Sequence, residues 1–196
     1  MFERSSGILL HISSLRGGSG IGTFGKEAYQ FIDFLKKSKQ KLWQILPLGT
    51  TSYGDSPYQS FSAFAGNPYF IDLEELIERG SLNRKEVDSI DLGENKEYID
   101  YEKLYKNKLK LLKKAYSNEG EKNSKGIEEL KKTHIYWLED YALFMAMKDK
   151  NLGKEWTKWV EEEKYAHINT IKKYREELKY EIDFYIYLQY LFYTQW

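Results

Sequence analysis

The chain has 196 residues, the size of one domain or slightly more. Its 30 basic and 30 acidic residues give a formal net charge of zero, so the sequence does not indicate a basic surface for nucleic acid or for an anionic membrane. It contains no cysteine, which excludes disulfides, thiolate catalysis and sulfur-ligated metals in this chain. Because the amino terminus lacks a signal-peptide pattern and the most apolar run, residues 184–193, is too short to span a bilayer, we expect a soluble, cytoplasmic protein.

The amino-terminal residues predict one unit of parallel sheet. Residues 6–12, S-G-I-L-L-H-I, form a short apolar run that is typical of a strand covered on both faces. Residues 24–37 have apolar positions at helical spacing, and residues 41–47, K-L-W-Q-I-L-P, predict a second buried strand that ends at a proline. A strand, a helix and a strand in this order indicate a βαβ unit.

A glycine-rich segment precedes the helix. Residues 20–25, G-I-G-T-F-G, match the dinucleotide-binding pattern. However, the segment begins several residues after the strand, and the second strand ends without an acidic residue to hold a ribose hydroxyl. The histidines His11, His134 and His167 lie on different predicted elements without ligand spacing, so we expect neither a cofactor nor a metal. His11, at the end of the first strand, can still face a ligand cleft.

The most specific stretch follows the second strand, at residues 52–73. It reads S-Y-G-D-S-P-Y-Q-S-F-S-A-F-A-G-N-P-Y-F-I-D-L and has neither a strand period nor a helical period. Connections of this length are usually functional or disordered, and the many aromatic rings argue against disorder. Tyrosine combines a flat apolar face with a hydroxyl group, which suits a sugar ring. The candidates for stacking on a saccharide and hydrogen-bonding it are Tyr53, Tyr58, Ser56 and Gln59.

The remaining rings of this stretch have a different predicted role. We expect four of them to fasten the loop to the core: Phe61, Phe64, Tyr69 and Phe70. Pro57 fixes the backbone just before Tyr58, as in a turn.

Beyond the loop the pattern is helical. A short helix over residues 74–79, closed by Gly80, is followed by a polar connection over residues 81–97. Long helices are predicted at residues 102–116, 134–150 and 166–196, with a polar, mobile segment over residues 113–126.

The last predicted helix is apolar on every face from residue 184 onward, F-Y-I-Y-L-Q-Y-L-F-Y-T-Q-W. Such a helix is normally enclosed by other elements. We expect this sequence to lack the neighbours needed to enclose it, which would make the chain part of a longer protein.

Several segments resemble the amino-terminal part of amylomaltase, the 4-α-glucanotransferase of bacterial maltodextrin metabolism. They are S-G-I-L-L-H-I-S-S-L at 6–15, G-I-G-T-F-G at 20–25, W-Q-I-L-P-L-G at 43–49 and S-P-Y-Q-S-F-S-A-F-A-G-N-P-Y-F-I-D-L at 56–73. Weaker similarity continues to the last residue, with a divergent stretch over residues 81–133.

The resemblance implies an α/β fold, the amino-terminal part of a (β/α)8 TIM barrel with about two strands and a mostly helical insertion. Residues 1–80 would begin the barrel and carry the glucan-binding segment of residues 50–70, named here the 50–70 loop. Residues 81–196 would form a helical insertion subdomain and a barrel-associated helix.

The resemblance also implies a retaining transfer of α-1,4-glucan segments between maltooligosaccharides, as in starch and glycogen metabolism. It places Tyr58 beside the bond that is broken, Ser56 as a neighbouring contact, and Tyr53 with Tyr101 at a secondary glucan site. Asp55, the one carboxylate in the loop, is a further candidate for substrate binding. Because the reaction needs two carboxyl groups, we expect the catalytic residues to be absent from this chain.

Two hypotheses follow. In the first, the chain is the amino-terminal part of a 4-α-glucanotransferase, partnered by the remainder of the barrel, and it supplies glucan-binding surface without the chemistry. In the second, it is a self-contained, non-catalytic α-glucan-binding module. A helical interaction protein is a third possibility, but it does not account for the loop.

Overall fold

The structure, a computed structural model, describes residues 3–51, 54–93, 97–119 and 123–196. Strands β1 (Gly7–Leu9) and β2 (Leu42–Gln44) are parallel, with Ile8 opposite Trp43. Helix α1 (Lys26–Lys37) connects them, and its last turn carries Lys36 and Lys37, which complement the negative end of the helix dipole. The predicted βαβ unit is confirmed.

The strands are more open than the sequence predicts. Leu9 and Leu42 are each 58% exposed, so the expectation of strands covered on both faces is wrong for the described residues. The physical reason is that the described residues form only this one pair of strands, and further elements would be needed to cover it.

The rest of the chain is helical. A 3-10 turn at Pro68–Phe70 leads to α2 (Leu73–Glu78), α3 (Arg84–Asp88), α4 (Tyr101–Glu119), α5 (Ser124–Thr133), α6 (Leu138–Lys150), α7 (Glu161–Lys164), α8 (Ile168–Glu177) and α9 (Lys179–Gln195). Further 3-10 turns lie at Ile12–Ser14 and Trp156–Lys158. As predicted, a short helix precedes Gly80, whose φ of +74° ends it.

Two predicted non-helical segments contain helices. In the predicted polar connection, Asn83 and Glu86 form a reciprocal capping box that starts α3. The segment predicted to be mobile is helical up to residue 119, because the buried apolar positions of α4 continue through Leu112 and Ala115. Within the same predicted segment, α5 begins at residue 124.

Helix α9 is enclosed by this chain, contrary to expectation. Its residues from Phe184 to Gln189 are buried, as are Leu191 and Phe192. The Phe192 ring lies 5.2 Å from the Phe24 ring. The expectation that the sequence lacks neighbours for this helix is therefore wrong. No helix in the described part of the chain is long and apolar enough to cross a membrane.

The chain divides into two compact units. The first comprises Met1–Gly120 and Leu191–Trp196, and the second comprises Glu121–Tyr190. The sequence places the division after residue 80, where the helical pattern begins. In the structure α4 belongs to the same compact unit as the strands and the 50–70 loop. The division into the start of a barrel and a helical insertion stays a prediction.

Candidate functional site

The 50–70 loop leaves the carboxyl end of β2 and is closed at its base. Gly49 and Gly66 form an antiparallel bridge, and the Asn67 amide donates to the Leu48 carbonyl at 2.9 Å. Gly66 is required here because a Cβ at this position would lie 2.3 Å from the Phe192 ring. The loop therefore starts and ends at a fixed neck, on the edge of a parallel sheet where ligand sites usually lie.

Hydroxyl side chains hold the irregular backbone of the loop. The Ser60 hydroxyl lies 3.0 Å from the Thr50 hydroxyl and donates to the Ser62 carbonyl at 2.7 Å. The Ser62 hydroxyl accepts from the amides of Phe64 and Ala65, each at 3.1 Å. The small polar residues noticed in the sequence thus satisfy backbone groups that regular structure would otherwise pair.

Tyr58 lies in a turn at the surface. The Gln59 amide donates to the Ser56 carbonyl at 3.1 Å, and Pro57 occupies the second position of the turn. The Ser56 hydroxyl accepts from the Tyr58 amide at 3.3 Å. Tyr58 is 72% exposed and Gln59 is exposed beside it. The Tyr58 ring is therefore accessible to a ligand and its backbone is held.

Asp55 connects the start of the loop to helix α4. Its φ of +57° is uncommon for a residue other than glycine, and Gly54 before it has a φ of +87°. Its carboxylate accepts a hydrogen bond from the Tyr105 hydroxyl, which also lies 3.2 Å from the Thr51 hydroxyl. This contact identifies Asp55 as an anchor of the loop.

Three tyrosine rings pack in a row beside this anchor. The Tyr105 ring centre lies 5.6 Å from that of Tyr101 and 4.8 Å from that of Tyr69. Burial raises the pKa of Tyr101, and the charge of Asp55 raises it further. Burial, followed by the hydrogen bond to Asp55, raises the pKa of Tyr105 far above its ordinary value, so both phenols stay protonated. The structure thus brings Tyr101 and Asp55 together.

Sequence reasoning missed Tyr105, although a signal was present. Tyr101 and Tyr105 are four residues apart on one predicted helix, which places them on one face.

Sequence reasoning also missed Lys108, which lies one turn further along α4. Its side chain is fully buried, and its ammonium group donates to the Tyr69 carbonyl at 2.8 Å. Burial lowers the pKa of Lys108 to about 7, and the charge of Asp72 opposes this shift. The signal was its position in the apolar stripe of α4 between Leu104 and Leu111.

The structure places the aromatic residues predicted in the 50–70 loop in different environments. Tyr53 lies outside the described residues. Phe70 is buried, as expected of a ring that fastens the loop, but Phe61 and Phe64 are 38% and 49% exposed. The loop is fastened there through its backbone instead, since the Tyr193 hydroxyl donates to the Phe64 carbonyl at 2.8 Å.

His11 faces the protein. Its Nδ1 accepts from the Leu46 amide at 3.3 Å, and its ring meets the Phe70 ring edge-on at 5.3 Å. Burial lowers the pKa of His11, so the ring stays neutral at pH 7. The position of this residue after β1 therefore serves the packing of the strand end.

The glycine-rich segment also has a packing role. A Cβ at Gly22 would lie 1.9 Å from the Ile12 carbonyl oxygen, and one at Gly20 would lie 2.0 Å from that of Leu92. A Cβ at Gly25 would lie 2.2 Å from the Asp72 carboxylate. These close approaches account for the three glycines of the pattern without a nucleotide.

The second unit contains an apolar cavity of about 520 Å³ whose lining includes Phe144, Trp156 and Trp159. Glu163 in its wall accepts from Lys150 and Asn151, each at 2.8 Å, and serves to join elements of this unit.

Among the described residues, no group of three or more His, Asp or Glu side chains could hold a metal ion.

Comparison with known proteins gives consistent matches. Residues 10–196 match the family glycoside hydrolase 77, described as 4-alpha-glucanotransferase. The 4-alpha-glucanotransferase of Clostridium butyricum is 50% identical over 95% of this chain, and that of Thermus thermophilus is 43% identical over 98%. Amylomaltase from Streptococcus agalactiae in complex with acarbose matches 99% of this chain, with a TM-score of 0.94 and 41% identity. The chain spans 38% of the length of each of these curated relatives and 40% of that amylomaltase chain.

Proposed function

Because the chain belongs to the 4-alpha-glucanotransferase family, we propose that it is the amino-terminal part of a 4-α-glucanotransferase and that its 50–70 loop binds α-1,4-glucans. The observation that carries the proposal is the exposed ring of Tyr58 on an ordered loop at the carboxyl end of β2. The acarbose complex of the Streptococcus agalactiae relative supports a sugar-like ligand.

In this proposal the βαβ unit begins a (β/α)8 barrel and the later helices form an insertion. The parallel pairing of β1 and β2 and the exposure of Leu9 and Leu42 support it, because barrel strands are covered on both sides by neighbours. Active sites of such barrels lie at the carboxyl ends of the strands, which is where the 50–70 loop emerges.

The role proposed for the loop is to bind and orient the donor glucan. The Tyr58 ring would stack on the apolar face of a glucose unit. The Ser56 hydroxyl and the Gln59 amide would hydrogen-bond the hydroxyl groups at the rim of the sugar. Because the turn already holds Tyr58, little conformational entropy would be lost on binding. Tyr101, and Tyr53 outside the described residues, would belong to a secondary glucan site.

The chemistry is proposed to come from residues outside this chain. Retaining glycosyl transfer needs a nucleophilic carboxylate and a second carboxyl group about 5–5.5 Å from it. Asp55 is the one carboxylate of the loop, and its hydrogen bond to Tyr105 gives it an anchoring role. In this proposal the residues that bind the donor glucan lie in this chain, and the residues that break the glycosidic bond lie outside it.

Titration of the chain with maltoheptaose in a calorimeter tests the binding role. Removing the ring in Tyr58→Ala should weaken binding by about tenfold, as expected for loss of about 1.4 kcal/mol of stacking and contact. Tyr29→Ala is the matched control, since Tyr29 is 63% exposed on α1 and lies outside the loop. Equal affinity of Tyr58→Ala and the unchanged chain would exclude glucan binding by this loop.

A stand-alone glucan-binding module is the second candidate, and the enclosure of α9 within the chain favours it. It predicts one cooperative unfolding transition, maltoheptaose binding and no conversion of maltotriose by this chain. The first candidate predicts that the protein encoded by the reading frame containing these residues forms glucose and longer maltodextrins from maltotriose. Turnover by the 196-residue chain alone would contradict both candidates.

A further inference from the structure

One face of α4 contacts both ends of the 50–70 loop. Tyr101, Tyr105 and Lys108 are spaced four and three residues apart, so they form a stripe along the helix. Tyr105 donates to Asp55 at the start of the loop, and Lys108 donates to the Tyr69 carbonyl at its end. The exposed Tyr58 lies between these two attachment points in sequence.

Lys108 is an unexpected residue for this position. A lysine is almost never fully buried unless it is paired. Among the described residues, the hydrogen-bond partner of its ammonium group is the Tyr69 carbonyl. Leu104 and Leu111, which lie next to Lys108 along the helix, are buried apolar side chains. A methionine would fill the same space without desolvating a charge, so packing alone does not account for the lysine.

We propose that Tyr105 and Lys108 are positioning residues that hold the two ends of the 50–70 loop and thereby set the affinity of Tyr58 for glucan. The inference rests on the proposed function of the loop. The two hydrogen bonds connect the loop ends to a single rigid helix, which fixes the distance between them. A binding residue on a loop held in this way needs less ordering when the ligand binds.

The titratable groups near Lys108 determine the pH range in which a change of affinity can be assigned to the charge of Lys108. Asp72, at the start of α2, is the carboxylate whose charge acts on it. Burial, followed by the hydrogen bond to Asp55, raises the pKa of the Tyr105 phenol on the same helix, so this phenol stays protonated over the pH range used here. The lowered pKa of His11, which packs on Phe70, keeps that ring neutral above pH 6.5. Between pH 6.5 and 8.5, Lys108 is thus the group of this set that changes charge, since its pKa is about 7.

The test measures maltoheptaose affinity for four variants in the 196-residue chain. Tyr105→Phe removes the hydroxyl donor and keeps the ring, and Lys108→Met removes the ammonium donor and keeps the volume. Each should weaken binding by about fivefold, the size expected from one lost hydrogen bond. The controls are Tyr29→Phe, an exposed phenol on α1, and Lys106→Met, an exposed lysine of α4. Both controls should bind as the unchanged chain does.

A pH series separates positioning from simple structural support. In the unchanged chain, affinity should fall about twofold to threefold between pH 6.5 and 8.5, because the neutral amine holds the Tyr69 carbonyl less strongly than the ammonium does. In Lys108→Met the affinity should be constant over this range. Thermal unfolding of each variant, measured in parallel, shows whether the protein is folded.

The outcomes distinguish this inference from the proposed function. Unchanged affinity in both Tyr105→Phe and Lys108→Met, together with weakened binding in Tyr58→Ala, would overturn the positioning role and leave the glucan site intact. Unchanged affinity in Tyr58→Ala would overturn the proposed function itself. Weakened binding in all three, with a flat pH profile in Lys108→Met, supports both.

Discussion

The first unit contains two irregular segments that follow strands, and they use their special residues in opposite ways. The glycine-rich segment after β1 buries Ile21, Thr23 and Phe24, and a Cβ at any of its glycines would collide with backbone or carboxylate atoms of other segments. The 50–70 loop after β2 buries its neck and exposes Tyr58 and Phe64 on its outer part.

The difference shows what a sequence motif can and cannot say about a site. The glycine pattern matches a nucleotide-binding loop, yet its glycines are explained by the space available inside the protein. The loop pattern matches no short signature, yet it holds a large apolar ring in water by means of hydroxyl-to-backbone hydrogen bonds. The combination of exposure and order is therefore the reason that a ligand site is proposed on the 50–70 loop and not on the glycine-rich segment.

The largest expected effect on stability comes from a substitution in the glycine-rich segment. Gly22→Ala would place a Cβ against the Ile12 carbonyl and should reduce the free energy of unfolding by about 3 kcal/mol. Gly18→Ala is the matched control, because a Cβ there meets nothing within 4 Å, and it should change stability by less than about 0.5 kcal/mol. Urea unfolding measures both. Equal stability of the two variants would contradict the packing role of Gly22.

An intermediate effect on stability is expected for Lys108 on α4, the helix that contacts both ends of the 50–70 loop. The pKa of Lys108 is about 7 in the folded protein and near 10.5 in the unfolded chain. Below pH 7 the side chain is charged in both states, and the cost of burying the charge is fully present. Between about pH 7 and 10.5 the unfolded chain binds more protons than the folded protein does, so stability rises with pH.

Lys108→Met removes this cost. The variant should be more stable than the unchanged chain by about 2 kcal/mol at pH 6, with an advantage that shrinks toward pH 10. Urea unfolding at pH 6, 8 and 10 measures the difference. An advantage that stays constant across this series, or a variant less stable at pH 6, would show that the buried lysine does not carry a desolvated charge.

The smallest expected effect on stability belongs to the outer loop. Tyr58→Ala should change the free energy of unfolding by less than about 0.5 kcal/mol, because the ring is 72% exposed. Thermal unfolding of this variant beside Gly22→Ala sharpens the comparison, since one substitution should affect ligand affinity and the other stability. A clear loss of stability in Tyr58→Ala would mean that the ring supports the fold.

Much of the local structure could be predicted from residue patterns. The βαβ unit, the short helix that ends at Gly80 and most of α4 and α6 follow from apolar spacing and from caps, which act over a few residues. Helix α3 was missed although its capping box is local, because its apolar content is low. The break between α8 and α9 at Leu178 was missed because the residues around it all favour helix.

The sequence by itself determined the family, the parallel unit and the segment to inspect, since these depend on residue order and short-range spacing. The tertiary structure alone decided which parts of that segment are anchored and which are exposed. Tyr105 and Lys108 reach the loop from residues about fifty and forty positions away, as the hydrogen bonds to Asp55 and Tyr69 show. Such contacts depend on how α4 packs against the 50–70 loop, and no local pattern in the sequence encodes a contact between residues so far apart.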